Sequence, residues 1–163
     1  CIIGAGPSGI TAAKNCMQAG LDFVVFEKND KVGGNWVFNS KTGHSSVYEN
    51  THLISSKSWS EFEDYPMPDT YPDYPNHIQL QAYFEDYARS FGVLEKVKFD
   101  HTVTHVSRNS DGRWQVDFTD QNGNKQCDHN AIYCDIPEES ATDYKMTSSL
   151  INFINEKIQQ QRR

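Results

Sequence analysis

The sequence predicts an α/β fold, with a parallel sheet, an inserted antiparallel β-meander and a C-terminal helix. Three observations predict it. A short apolar run, Cys1 to Ile3, leads straight into the glycine-rich turn Gly4-Ala5-Gly6-Pro7-Ser8-Gly9. A helical pattern and a second apolar run, Leu21 to Phe26, follow at once, which makes a βαβ unit. Further along, alternating segments separated by Asp-Gly and Asn-Gly turns read as antiparallel strands.

Each element follows from its residues. Cys1 to Ile3 are all apolar, as in a parallel strand buried on both faces. Such strands usually run to about five residues. This one is therefore expected to be clipped, and the chain to be a fragment of a longer protein. From Pro7 to Ala19 the apolar residues Ile10, Ala13, Cys16 and Met17 recur at helical spacing, and Gly20 is a stop signal. Leu21 to Phe26 is the second buried strand, ended by Glu27, and Lys31 to Gly34 opens a short turn or helix.

Asn35 to about Asn76 is irregular and rich in Tyr, Pro, Ser and Asp. Runs of that length are rare in compact domains unless they wrap a ligand or cover a site. Trp36, Trp59, Phe62, Tyr65, Tyr71 and Tyr74 give it enough aromatic surface to pack against ligand or core. Asn76 is the expected N-cap of a helix from His77 to Ser90, closed by Gly92. Its expected apolar face is Ile78, Ala82, Tyr83, Tyr87 and Phe91. Strands are expected at Val97 to Phe99, Thr102 to Arg108, Trp114 to Phe118 and Lys125 to Asp128, with turns at Ser110-Asp111-Gly112 and Gln121-Asn122-Gly123. Ala131 to Cys134 is another short apolar run. After Pro137 the texture turns polar, and Tyr144 to Gln160 reads as an amphipathic helix carrying Met146, Leu150, Phe153, Ile154 and Ile158. The expected organisation is a domain over 1–137 and a helical tail over 138–163.

Composition narrows the class. A chain of 163 residues is one domain's worth, and no apolar run approaches the roughly 20 residues that a spanning helix needs. The net charge of −7 argues against nucleic acid or an anionic membrane as partner. Cys1, Cys16, Cys127 and Cys134 show no C-x-x-C spacing, and they read as buried thiols in a reducing compartment. With no secretory signal, the cytoplasm is the expected address. The six histidines are spread out with no metal-ligand spacing, so no metal is expected. No nucleophilic or acid–base constellation stands out, and no catalytic residue is assigned.

The chemistry lies in the first turn. G-x-G-x-x-G alone is a weak pattern, but between a strand and a helix it marks a dinucleotide site. Gly4 permits the tight turn, Gly6 lets backbone approach a pyrophosphate, and Gly9 lets the helix pack on the strand. Pro7 begins the helix, whose N-terminal amides and dipole favour the negative charge, and Ser8 adds a hydroxyl. Glu27, at the tip of the second strand, is placed to accept hydrogen bonds from an adenosine ribose, which favours a free 2′-hydroxyl.

A second glycine pair, Gly33-Gly34-Asn35-Trp36, follows closely. With the G-A-G-P-S-G loop and the Phe26-Glu27-Lys28 strand end, it resembles the FAD half of the flavin-containing monooxygenases and the related N-hydroxylating and Baeyer–Villiger enzymes. The resemblance runs on through His44-Ser45-Ser46-Val47-Tyr48, Asn50 to Lys57, Phe62 to Pro68 and Tyr74-Pro75-Asn76-His77, and covers residues 1 to about 134. It implies a Rossmann-like FAD/NAD(P)-binding fold with FAD as cofactor and NADPH as reductant in the parent family. It also implies a small-molecule substrate, either a soft nitrogen or sulfur nucleophile or a carbonyl compound. Residue by residue, Gly34, Asn35 and Trp36 would line the path toward the riboflavin moiety. His44 matches a position that approaches FAD in part of the family, and Val103 a position whose backbone lies beside the adenine.

Two departures stand out. Many members carry an Asn before a Lys in the segment matching Leu53 to Lys57, where it hydrogen-bonds near the reactive flavin. Here Ile54 or Ser55 occupies that place, and Asn50 is offset. The family's second glycine loop, for NADPH, has no counterpart, and Asp135-Ile136-Pro137-Glu138-Glu139 stands where a small-residue turn would close over FAD. The expected function is an FAD-binding portion of a monooxygenase, not competent alone. Two other readings stay open. One is a non-catalytic module that binds FAD, ADP or a protein partner through the C-terminal helix. The other is a single-domain NAD-dependent reductase.

Overall fold

The computed structural model describes residues 1–131. Among them two three-stranded sheets form. The parallel one consists of β1 (Ile2–Ile3), β2 (Val25–Phe26) and β3 (Val97–Lys98), in the order β1-β2-β3. Ile2 is in register with Val25, and Val25 with Val97. The antiparallel one is a meander of β4 (Thr102–Arg108), β5 (Trp114–Thr119) and β6 (Lys125–Ala131). This is the α/β architecture that the sequence predicts.

The first crossover is helix α1 (Pro7–Gln18), which starts on Gly6 with Pro7 at its first position. It ends where Gly20 takes the left-handed conformation, φ +67°. The Gly20 amide then donates to the Met17 carbonyl and the Leu21 amide to the Cys16 carbonyl, which satisfies two orphaned acceptors. The face turned to the core is Ile10, Thr11, Ala12 and Ala13, while Met17 stays 36% exposed, so the apolar stripe is shorter than the sequence predicts. The second strand is also shorter. Val25 and Phe26 pair with β1, the Val24 carbonyl accepts from the Ile2 amide, and Leu21 to Phe23 lie outside the strand.

The second crossover, Glu27 to Lys96, carries a 3-10 turn (Gly34–Trp36), the single helical turn α2 (Lys57–Ser60) and helix α3 (His77–Ser90). Asn76 caps α3 as expected. Its side chain accepts from the Gln79 amide, and the Gln79 side chain accepts from the Asn76 amide. Of the expected face, Tyr83 and Tyr87 are buried and Phe91 packs against the core, but Ile78 and Ala82 are not part of it. Leu80, Tyr83, Phe84, Tyr87 and Ala88 face the core, whereas Ile78 is 65% exposed and Ala82 is exposed. The positions 80, 83, 84, 87 and 88 keep helical spacing without Ile78, and the wider aromatic rings settle which stripe is buried.

The irregular stretch packs through part of its aromatic set. Trp36, Phe62, Tyr65 and Tyr71 lie against the core. Phe62 sits 4.4 Å from Tyr87, ring centre to ring centre. The Tyr83 hydroxyl accepts from the Phe62 amide and donates to the Tyr65 carbonyl. Trp59 and Tyr74, expected to pack, are 78% and 54% exposed. Backbone bonds from Leu53 to Pro75, His77 to Thr51 and Lys57 to Asp73 tie this stretch to the approach of α3. The cysteines also depart from expectation, for Cys127 is exposed and Cys1 and Cys16 are half-buried.

The sheets meet at Phe26, whose ring centre is 4.3 Å from that of Phe118 on β5 and 5.9 Å from that of His101. No helix among the described residues is long and apolar enough to cross a membrane. The expected boundary at Pro137, the run Ile132 to Cys134 and the tail helix lie outside the described residues.

Candidate functional site

The glycine turn closes on the end of β1. The Gly4 amide donates to the Phe26 carbonyl at 2.8 Å, which fixes the turn to β2, and Gly4 itself sits at φ +92°. A Cβ on Gly9 would lie 2.0 Å from the Gly4 carbonyl oxygen, so only glycine lets α1 come so near the strand. Gly6 is the helix N-cap, and no side chain caps that end. The Ser8 and Gly9 amides fall in the first turn, where helix geometry gives an N–H no internal partner. No acidic residue occupies that turn. The result is an open, positive helix end of the kind that binds anions.

Glu27 reaches back to this turn. The residue is 3% exposed, and its carboxylate accepts from the Ala5 amide at 2.6 Å and the Asn29 amide at 2.8 Å. The backbone of Glu27 is held on both sides, since its amide donates to the Lys98 carbonyl and its carbonyl accepts from His101. A carboxylate has about four lone-pair sites. Two backbone donors therefore leave capacity for sugar hydroxyls at the same group.

The second glycine pair packs on the first. The Gly33 amide donates to the Ala5 carbonyl at 2.9 Å, and a Cβ on Gly34 would stand 3.0 Å from the Gly6 Cα. Gly33 and Gly34 both have positive φ, +126° and +55°. Helix α3 backs this turn, with the Gln81 side chain donating to the Val32 carbonyl at 3.4 Å. Asn35 is exposed beside the turn, its carbonyl accepting from the Ser45 hydroxyl, and Trp36 packs against the core.

Gly4, Gly6, Pro7, Ser8, Gly9, Glu27, Gly34, Asn35 and Trp36 thus fall in one neighbourhood. His44 and Val103 are not bonded to it directly. His44 is exposed in the loop after Ser40. Val103 is half-buried on β4 opposite Phe118, two residues past the His101 amide that donates to Glu27. Sequence reasoning missed Ala5, Asn29 and Gln81. Ala5 could have been found from its place inside the glycine loop; Asn29 and Gln81 carry no local pattern. Asn29 is 2% exposed, and its side-chain oxygen accepts from the Thr42 hydroxyl at 2.6 Å. Beside it, Lys41 pairs with Asp100 at 2.6 Å, and that carboxylate raises the lysine above its ordinary pKa.

These residues fit a dinucleotide. A glycine turn whose Gly9 brings α1 close against the strand, an uncapped helix start and a carboxylate within reach of it supply backbone donors for a diphosphate and an acceptor for ribose.

Comparison with known proteins agrees with the geometry. Flavin-containing monooxygenase 5 of Rattus norvegicus is 39% identical over 133 residues, which is 78% of this chain and 25% of the relative. Flavin-containing monooxygenase 3 of the same species is 32% identical over 154 residues, 85% of this chain and 29% of the relative. The chain therefore spans about a quarter of the length of these relatives. Among solved structures, S-allyl-L-cysteine S-oxygenase from Allium sativum superposes with a TM-score of 0.72 at 23% identity, over 83% of this chain and 38% of that one, and shows the shared fold. An open form of cyclohexanone monooxygenase superposes with a TM-score of 0.63 at 26% identity, over 76% of this chain and 24% of that one. The family described as flavin-binding monooxygenase-like matches residues 1–135, and the chain belongs to it.

Proposed function

We propose that this chain is the FAD-binding portion of a flavin-dependent, NADPH-using monooxygenase, and that it does not turn over alone. The observation that carries the reading is the meeting of two glycine turns at an uncapped helix start, with the Glu27 carboxylate held 2.6 Å from the Ala5 amide. In this reading Gly4, Gly6, Pro7, Ser8 and Gly9 hold the pyrophosphate and Glu27 the adenosine ribose. Gly34, Asn35 and Trp36 line the path toward the riboflavin moiety, with His44 and the Val103 backbone flanking the cofactor. Bound FAD would supply the redox and oxygen chemistry, which belongs to the cofactor.

The chain's own work is to bind and orient. The amides at the start of α1 offset the diphosphate charge. Glu27, already fixed by two backbone donors, presents its remaining acceptor sites in one orientation. The packed second turn keeps water from that side of the cradle.

The glycine loop at 4–9 is the one G-x-G-x-x-G in the 163 residues. We therefore assign NADPH binding, and with it substrate oxygenation at nitrogen, sulfur or a carbonyl group, to protein outside this sequence. The organisation that goes with this reading is a cofactor domain over 1–137 with a polar tail over 138–163, at home in the cytoplasm.

Titration of the purified full chain with FAD tests it. Quenching of flavin fluorescence at one equivalent, with ADP competing, is the expected result. NADPH should be consumed no faster than in the flavin-only control. A folded chain that leaves FAD fluorescence unchanged at saturating protein overturns the reading. NADPH oxidation by the chain alone overturns the claim that it does not turn over.

A further inference from the structure

We propose that Asn29 is the positioning residue for the adenosine end of the site, joining the Glu27 carboxylate to the loop of residues 39–44 and to the start of the meander. This inference rests on the dinucleotide reading above and goes beyond it, because Asn29 belongs to neither glycine turn.

Asn29 makes four bonds, to three different segments. Its amide donates to Glu27 Oε1 at 2.8 Å. Its carbonyl accepts from the Asp100 amide at 3.1 Å, where the chain passes from β3 into β4. Its side-chain oxygen accepts from the Thr42 hydroxyl at 2.6 Å and from the Thr42 amide at 3.4 Å. The Thr42 amide can only donate, which fixes the side-chain oxygen, not the nitrogen, toward Thr42. Lys41 and Asp100 form an ion pair across the same seam.

Burial gives these bonds their weight. Asn29 is 2% exposed and Thr42 is exposed, so a polar anchor inside the protein helps to tie down the loop at Thr42. A polar side chain out of water is costly unless bonded, so the tether is favoured over its loss. The consequence is mechanical coupling. One buried residue joins the loop that carries His44, held by its side chain, to the strand entry that leads to Val103 and to one oxygen of the ribose carboxylate, both held by its backbone. The position of the loop and the aim of Glu27 are therefore not independent.

The test uses the full-length chain and two ligands that share adenosine diphosphate, FAD and ADP. Thr42→Val removes the exposed hydroxyl while keeping the side-chain shape, and Thr42→Ser restores it. Losing one bond of this kind is expected to weaken FAD and ADP binding by the same factor, about fivefold, in Thr42→Val. The melting temperature of the ligand-free chain should fall only slightly, because the Thr42 amide still donates to Asn29, and Thr42→Ser should recover both it and the affinity. In Asn29→Leu the loop is already released, so adding Thr42→Val should weaken binding no further. Should Asn29→Leu fail to fold, the Thr42 pair decides alone. Wild-type and Thr42→Val chains that bind both ligands equally well overturn the inference and leave the dinucleotide reading standing. So does a loss of affinity in Thr42→Val that Thr42→Ser does not recover. A wild-type chain that binds neither ligand overturns the reading and the inference together.

Discussion

Gly9 and Glu27 show how single residues fix the cradle. A methyl group at Gly9 would stand 2.0 Å from the Gly4 carbonyl oxygen, a backbone atom and not the end of a flexible side chain that could yield. Gly9→Ala must push α1 off the strand, at an expected cost of at least about 3 kcal/mol in urea unfolding, with loss of flavin binding. Gly20→Ala is the control. It meets nothing within 4 Å and carries only the left-handed penalty of about 1–2 kcal/mol. Glu27→Gln separates aim from charge. One amide oxygen can still accept, but the new NH2 group faces a backbone N–H, so one buried bond is lost at a cost of about 1–3 kcal/mol. FAD affinity should fall with it, and a variant that unfolds and binds like wild type would refute the placement of this carboxylate. The glycine loop and Glu27 were legible because backbone approach admits so few residue types. The Ala5 and Asn29 amides that hold Glu27 were not, since a backbone donor leaves no trace in residue identity.

At the scale of the element, α3 is the brace. Its start was legible because the cap is local, an Asn with a Gln three residues on. Its buried face was not, because Ile78 mimics a core position and only the neighbouring segments decide which stripe is covered. Asn76→Ala removes the reciprocal cap and should cost about 1–2 kcal/mol in thermal or urea unfolding. The loss should reach the site, because Gln81 on the same helix supports the Val32 carbonyl just before Gly33. The inward face also sets an alkaline limit. Burial pushes the Tyr87 hydroxyl from 10.0 up to about 12. A pKa raised on folding contributes stability that is whole below the unfolded value and is lost as pH climbs toward the folded one. The chain should therefore lose stability between pH 10 and about 12, as followed by circular dichroism. Tyr87→Phe should move that alkaline midpoint upward while changing little at neutral pH.

For the molecule as a whole, the question is what makes two sheets behave as one. The parallel sheet is thin, with two residues from each of its strands in the ladder, and the meander is built of longer strands. Neither the pairing of the two nor its purpose could be read from strand patterns, because periodicity reports which face of a strand is apolar and not what that face meets. The structure joins them at Phe26 and Phe118, ring centres 4.3 Å apart, and through the bonds from Asp100 to Asn29 and His101 to Glu27. Phe26 and Glu27 are adjacent, so the apolar contact between the sheets and the carboxylate at the glycine turn share one strand tip. Phe118→Ala should remove about 3–5 kcal/mol through the cavity it leaves. If the contact is what unites the sheets, wild-type unfolding followed by tryptophan fluorescence and by far-ultraviolet circular dichroism should coincide. In Phe118→Ala the two should part once Trp36→Phe and Trp59→Phe leave Trp114 on β5 as the one tryptophan, because it then reports the meander while helical ellipticity reports the cofactor half. FAD affinity should fall in the same variant, as a loosened meander releases the His101 amide from the Glu27 carbonyl. Coincident transitions with undiminished affinity would show instead that the cofactor half stands without the meander.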